Sequence, residues 1–221
     1  MSKRETIRQI TINQIKAIAR RQIAESGQTG LSLKSISREI GMSGPALYRY
    51  FPNRDQLLLT IVNDAWSELE SQIVTNTSEA AQKDCAALIS PIIGVYRHWV
   101  KSHAAEYELM FSLPGMKAQA TFSMKRVWAI LLPVWECLSV KNIGFTNDKE
   151  SPWYYDATFP FPDEYIGEKP AVLSGLYNLW TLWAHVHGLL VLEINHSFPT
   201  EAAWVDSLYQ SEIHSFIAKC S

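Results

Sequence analysis

Between Ser32 and Arg54 the chain gathers side chains suited to an anionic partner. Ser32 and Lys34 are followed by the stretch "SGPALYRYFPNR", which holds Tyr48, Arg49, Tyr50 and Arg54 within seven residues. A tyrosine hydroxyl can donate to a phosphate oxygen, and an arginine can neutralise a phosphate or read a guanine edge. Gly44, Pro45 and Ala46, just ahead of them, are small and would let a helix end come close to base edges. Ser32, Lys34 and Arg54 are placed to clamp a backbone on either side. Taken singly, Tyr48 and Tyr50 fit half-buried packing residues equally well.

The charge distribution agrees with a polyanionic partner. Residues 1–54 hold 10 Lys and Arg against 3 Asp and Glu, a formal +7. The other 167 residues hold 10 against 19, so the net -2 conceals a basic unit joined to an acidic body. Such asymmetry is the electrostatic footprint expected of double-stranded DNA binding, although a basic end can also be merely solvated.

Around these residues the sequence predicts short helices. In the first, Thr11 is a candidate N-cap with Gln14 as its partner. Ile12, Ile15, Ala19 and Ile23 make one apolar stripe, and Gly27 stops it. A second runs from the Ser32 cap to Gly41, with Leu33, Ile36 and Ile40 on one side. A third covers Gly44–Phe51 behind Ser43, with Leu47 and Phe51 facing inward. Pro52 stops it, and Asn53 caps a fourth helix reaching about Val74. Two short helices across the "GMS" turn form the pattern of a helix-turn-helix, whose second helix enters the major groove.

Helical patterns resume at Cys85–Ser102, Ala104–Leu113, Lys117–Cys137, Ala171–Ile194 and Glu201–Lys219. Four prolines within Ser139–Pro170 predict a long loop. No alternating Val/Thr-rich run suggests a strand, so the expected class is all-α. The first twenty residues have no apolar run, so no signal peptide is expected. Cys85, Cys137 and Cys220 are far apart and odd in number, which fits neither disulfides nor a zinc site and points to a reducing cytoplasm. His185 and His187, two apart on a helix, point in nearly opposite directions, so no metal is expected. No nucleophile elbow is present, and neither catalysis nor a cofactor is expected. Ala171–Leu192 lacks charged residues, but Ser174, Asn178, Thr181 and two histidines argue for a helix buried in protein rather than in a membrane.

The segment "LSLKSISREIGMSGPALYRYFPNRDQLLLTI" closely resembles the DNA-binding domain of the tetracycline-repressor (TetR) family, over roughly Thr11–Ile61. The resemblance implies a three-helix head in residues 1–54 and a helical ligand-binding and dimerisation body in residues 55–221. It places Lys34, Pro45, Ala46, Tyr48, Tyr50 and Arg54 at the usual contact positions. It also implies a cytoplasmic regulator, most often a repressor, that binds a palindromic operator as a homodimer and is released by a small effector. An activator, a regulator without effector, and an enzyme using an aromatic pocket are the alternatives. "YRHWVKSHAAEYELMF" and "LWTLWAHVHGLLVLE" resemble a subgroup with a Trp…His-Gly pattern, here Trp183, His187 and Gly188.

The body holds 22 of the 25 aromatic residues, more than a core of its size needs. Trp99, Phe111, Phe122, Trp128, Trp135, Tyr177, Trp180 and Trp183, with His187, are candidates for the wall of a pocket taking a small apolar or aromatic effector. The last two helices are the candidate dimer interface. The first is apolar nearly all round, and the second carries Trp204, Leu208, Ile213 and Phe216. Gly175 and Gly188 would permit close approach of a partner, in a four-helix bundle across a twofold axis.

Overall fold

The computed structural model describes residues 2–77, 85–112, 126, 127, 130, 131, 134, 170–198 and 202–220. Regular structure among the described residues is helical, in the order α1 (Lys3–Ser26), α2 (Leu33–Ile40), α3 (Gly44–Tyr48), α4 (Arg54–Thr77), α5 (Cys85–Ser102), α6 (Ala104–Ser112), α7 (Pro170–Ile194) and α8 (Ala202–Cys220). The chain forms two compact units, residues 1–69 with 102–115 and residues 70–101 with 116–221.

In the first unit α1 starts eight residues earlier than the expected Thr11 cap. Two capping signals compete here, and no helix breaker separates them. The hydroxyl of Ser2 accepts from the Glu5 amide, and the Glu5 carboxylate accepts from the Ser2 amide at 2.6 Å. That carboxyl is held below its usual range, first by the backbone hydrogen bond and then by the Ser2 side chain. Thr11, now inside the helix, donates its hydroxyl back to the Ile7 carbonyl. Ile15, Ala19 and Ile23 are buried as their spacing requires. A further stripe runs along α4, where Leu57, Ile61, Ala65 and Leu69 recur every fourth residue and are all buried.

The ends of α2 follow the sequence signals. Ser32 accepts from the Ser35 amide, and Gly41 takes the left-handed conformation at φ 75°. The Met42 amide then reaches the Ser37 carbonyl and the Gly41 amide reaches Arg38, a Schellman closure. α3 is shorter than the expected Gly44–Phe51. It ends at Tyr48, and the Tyr50 and Phe51 amides both return to the Leu47 carbonyl in a tight turn. Phe51 precedes Pro52, and a residue before proline is pushed out of the α region. Leu47 and Phe51 nevertheless face inward, 1% and 5% exposed. Asn53 accepts from the Gln56 amide at 2.8 Å and opens α4. Lys16 and Asp64, 2.7 Å apart, join α1 to α4, and Arg21 and Glu39 join α1 to α2. α6 packs on α1.

In the second unit, α7 buries Leu179, Leu182, Val186 and Leu190, and α8 buries Val205, Tyr209, Ile213 and Phe216. α7 and α8 pack together. Pro170 stands at the first position of α7, where its missing N–H costs nothing. Arg126, Val127, Ile130, Leu131 and Val134 are helical, and the last four are buried. The rest of the expected helix Lys117–Cys137, and the expected loop up to residue 169, lie outside the described residues.

Candidate nucleic-acid interface

α3 turns most of its short length outward. Pro45, Tyr48 and Arg49 are exposed, Tyr48 at 53%, while Gly44, Ala46 and Tyr50 are partly so. Leu47 alone on α3 is buried, and it anchors the helix to its unit. A side chain built at Gly44 would meet nothing within 4 Å, so packing inside the chain does not demand a glycine there. That absence of internal demand suits a surface meant for something outside. Lys34 is exposed in the first turn of α2.

Two of the expected backbone clamps are engaged within the unit itself. The Ser32 hydroxyl is the α2 cap, and its amide donates to the Gln22 side chain at 3.0 Å. The Arg54 guanidinium donates to the Gln28 carbonyl and sits 3.9 Å from Asp55. Arg54 therefore ties the start of α4 to the turn after α1, a bond across 26 residues that no local pattern announces. Tyr50 is partnered as well: the guanidinium of Arg8 lies over its ring, 5.1 Å from the centroid. Lys3, Arg4, Ile7 and Arg8 of α1 and Arg49 and Tyr50 line a cleft of about 600 Å³. None of these α1 residues stood out in the sequence, although the Ser2–Glu5 capping box that makes them helical was legible there.

In the second unit three of the residues expected on a pocket wall touch one another along α7. Trp180 and Trp183 meet edge to face at 5.6 Å, and Trp183 stacks on His187 at 4.6 Å, four residues on along the same face of α7. Burial pushes the His187 pKa down to about 4, so the ring is neutral at physiological pH. Trp99 is buried on α5. Phe111 belongs to the first unit, edge-on to Trp66 and Tyr107. Phe122, Trp128 and Trp135 lie outside the described residues, as do the side chain of Tyr177 and the surroundings of Gly175.

A network the sequence did not reveal ties α5, α7 and α8. Arg97 donates to Glu193 at 2.7 Å and 2.8 Å and to Asp206 at 2.6 Å, and its guanidinium lies 4.3 Å over the Tyr209 ring. Burial alone would raise the Glu193 pKa, but hydrogen bonds from Arg97, Lys101 and Tyr209 hold it at about 2. His185 pairs with Glu212 at 2.7 Å. Among the described residues no three His, Cys, Asp or Glu side chains are placed to hold a metal, and no helix is long and apolar enough to cross a membrane.

The candidate dimer face is divided by the fold. Phe216 is 3% exposed and belongs to the core of the single chain, so it is not available to a partner. Trp204, by contrast, is 48% exposed, Leu208 is partly exposed, and Gly188 faces open space.

Comparison with known proteins bears on both units. Residues 15–61 match the family described as bacterial regulatory proteins, tetR family, and residues 91–216 match the tetracyclin repressor-like, C-terminal domain. The HTH-type transcriptional regulator Rv1816 of Mycobacterium tuberculosis is 30% identical over 206 residues, which is 88% of this chain and 85% of that protein. EthR of the same organism, also named an HTH-type transcriptional regulator, is 22% identical over 136 residues, 61% of each chain. Two solved structures share the fold. SCO4313 superposes with a TM-score of 0.72 at 24% identity, covering 98% of this chain and 100% of that one. A protein from Rhodococcus sp. RHA1 superposes with a TM-score of 0.70 at 18% identity, covering 95% of each.

Proposed function

The chain belongs to the TetR family of DNA-binding transcriptional regulators, and from that premise we propose that it is a cytoplasmic repressor that grips a palindromic operator as a homodimer and releases it when a small apolar or aromatic molecule occupies the second unit. The observation that carries the reading is the outward face of α3. Tyr48 and Arg49 stand free of the core, and the small residues Gly44, Pro45 and Ala46 precede them. In this reading Lys34, Tyr48 and Arg49 hold phosphates, the start of α3 meets base edges, and Ser32 and Arg54 set the geometry of the head.

Family members bind DNA operators and typically act as dimers. A dimer is supported here by two exposed faces that lack Asp, Glu, Lys and Arg. On α7, Ala184, His185, Gly188, Val191 and Leu192 fall within about 120° of arc, with Val191 and Leu192 37% and 44% exposed. On α8, Trp204, Ser207, Leu208, Ser211 and Ser215 fall within about 100° and carry no charge. The aromatic Trp180–Trp183–His187 run, with its imidazole neutral, supports an apolar or aromatic effector.

Selection of duplexes from a random pool by the full chain tests this. The expected product is an inverted repeat whose half-site centres lie about 34–36 Å apart, or a multiple of that. Enrichment of a single unrepeated half-site would overturn the dimer, and no enrichment would overturn operator binding.

A further inference from the structure

The segment matching the family's DNA-binding domain begins at residue 15, yet α1 begins at Lys3. The helix thus carries about three turns ahead of that domain. Residues 2–10 are exposed throughout, so packing does not account for their being helical. The reciprocal cap between Ser2 and Glu5 does, and it gives Lys3, Arg4 and Arg8 fixed places on a helix instead of a fraying end.

Those places converge. Lys3, Arg4, Ile7 and Arg8 share one side of α1 and form one wall of the cleft whose other wall is Arg49 and Tyr50. Four cations and no carboxylate line it. Among the described residues, none of the four is in an ion pair. Arg21 of the same helix shows the contrast, being held by Glu39 and Glu25. Like charges gathered without a counter-charge repel one another, and an anion removes that cost. Arg49 and Tyr50 directly follow the exposed end of α3, so the cleft is continuous with the surface that meets DNA.

We propose that the first turns of α1 form a second arm of the DNA interface, in which Lys3, Arg4, Arg8 and Arg49 hold the phosphodiester backbone beside the groove entered by α3, and the ring of Tyr50 positions the Arg8 guanidinium. The assignment rests on the operator-binding reading above. It makes Tyr50 a positioning residue through its ring rather than a phosphate donor through its hydroxyl.

The test uses the full chain and a duplex that the wild type selects from a random pool, with binding followed by fluorescence anisotropy across a potassium chloride series. Lys3→Gln/Arg4→Gln/Arg8→Gln should make the slope of log K against log salt shallower by about 2–3, close to one unit per lost phosphate contact. The loss of affinity, roughly tenfold or more at low salt, should be the same on a scrambled duplex, and reselection with the variant should return the same base preference. Tyr50→Phe should bind like wild type, while Tyr50→Ala should reproduce the slope of Arg8→Gln. Circular dichroism should show the triple variant folded, because the replaced side chains are exposed. An unchanged salt slope in that folded variant overturns the arm, as does a changed base preference at the flanks of the site, which would mean base reading. Equal weakening by Tyr50→Phe and Tyr50→Ala overturns the positioning role. A wild type that enriches no duplex at all instead defeats the operator-binding reading itself.

Discussion

At the scale of single residues, the head separates side chains that face outward from those that hold it together. Tyr48 is 53% exposed on a helix anchored by Leu47, so truncating it costs the fold little. We expect Tyr48→Ala and Arg49→Ala to weaken binding to specific and scrambled duplexes alike, with a shallower salt slope for the arginine only. Replacements at Pro45 or Ala46 should change base preference instead. Anisotropy titrations on both duplexes separate the two effects, and a Tyr48→Ala variant with wild-type affinity would remove α3 from the interface. In the second unit the residue to watch is His187. Its folded pKa is about 4 against an ordinary 6.5, because burial disfavours the imidazolium. The unfolded chain therefore binds the proton more readily between those values. Stability is fully present above pH 6.5 and falls as pH drops toward 4. His187→Phe cannot charge, so over that window its thermal midpoint should fall less than that of the wild type. Parallel midpoint curves would mean that the ring is hydrated in solution.

At the scale of elements, the sequence signals that held were local, and those that failed needed a partner from elsewhere. The Ser32 cap, the Gly41 stop and the Asn53 cap were all readable, because each is decided within about five residues. The start of α1 was not, since Ser2–Glu5 and Thr11–Gln14 are both valid boxes and choosing between them requires knowing whether residues 3–10 stay helical. The engagement of Arg54 with Gln28, the packing of α6 on α1 and the Arg97 network join residues far apart in sequence, and neither periodicity nor charge pattern points to them. That network makes a prediction about its three helices. Arg97 and Glu193 are 19% and 12% exposed, and removing the arginine leaves a carboxylate poorly hydrated with only Lys101 and Tyr209 to satisfy it. Arg97→Gln should destabilise the chain by about 2–3 kcal/mol, somewhat under the 3–5 of a fully buried pair. Denaturant unfolding reads the value. An unchanged midpoint would show that the lysine and tyrosine suffice.

At the scale of the whole molecule, the proposed dimer has to set two heads on one operator. A single short α3 offers few contacts, and coupling two heads raises affinity by roughly 10²–10⁴ without any new contact to DNA. The surface that couples them must be exposed in one chain, apolar or small, and free of charge. Sequence alone suggested one broad apolar face on α8, but Trp204 and Phe216 are about 120° apart around that helix. The fold gives the side with Phe216, Val205 and Ile213 to the chain's own core and leaves Trp204 outside. On α7 the matching outward pair is Val191 and Leu192, with Gly188 one turn earlier and nothing above it. Leaving such side chains in water forgoes about 25 cal/mol for each Å² of apolar surface a partner could cover, which favours pairing of these faces. The decisive variant is therefore Val191→Glu with Trp204→Glu, both at exposed positions, and not one that touches Phe216, whose replacement by Glu should unfold the chain. We expect the double variant to keep its helical circular dichroism and to have the mass of one chain by light scattering. Its affinity for the selected inverted repeat should fall by roughly the same 10²–10⁴, while its affinity for a scrambled duplex changes much less. A variant that is folded, still dimeric and still tight on the inverted repeat would place the interface away from α7 and α8.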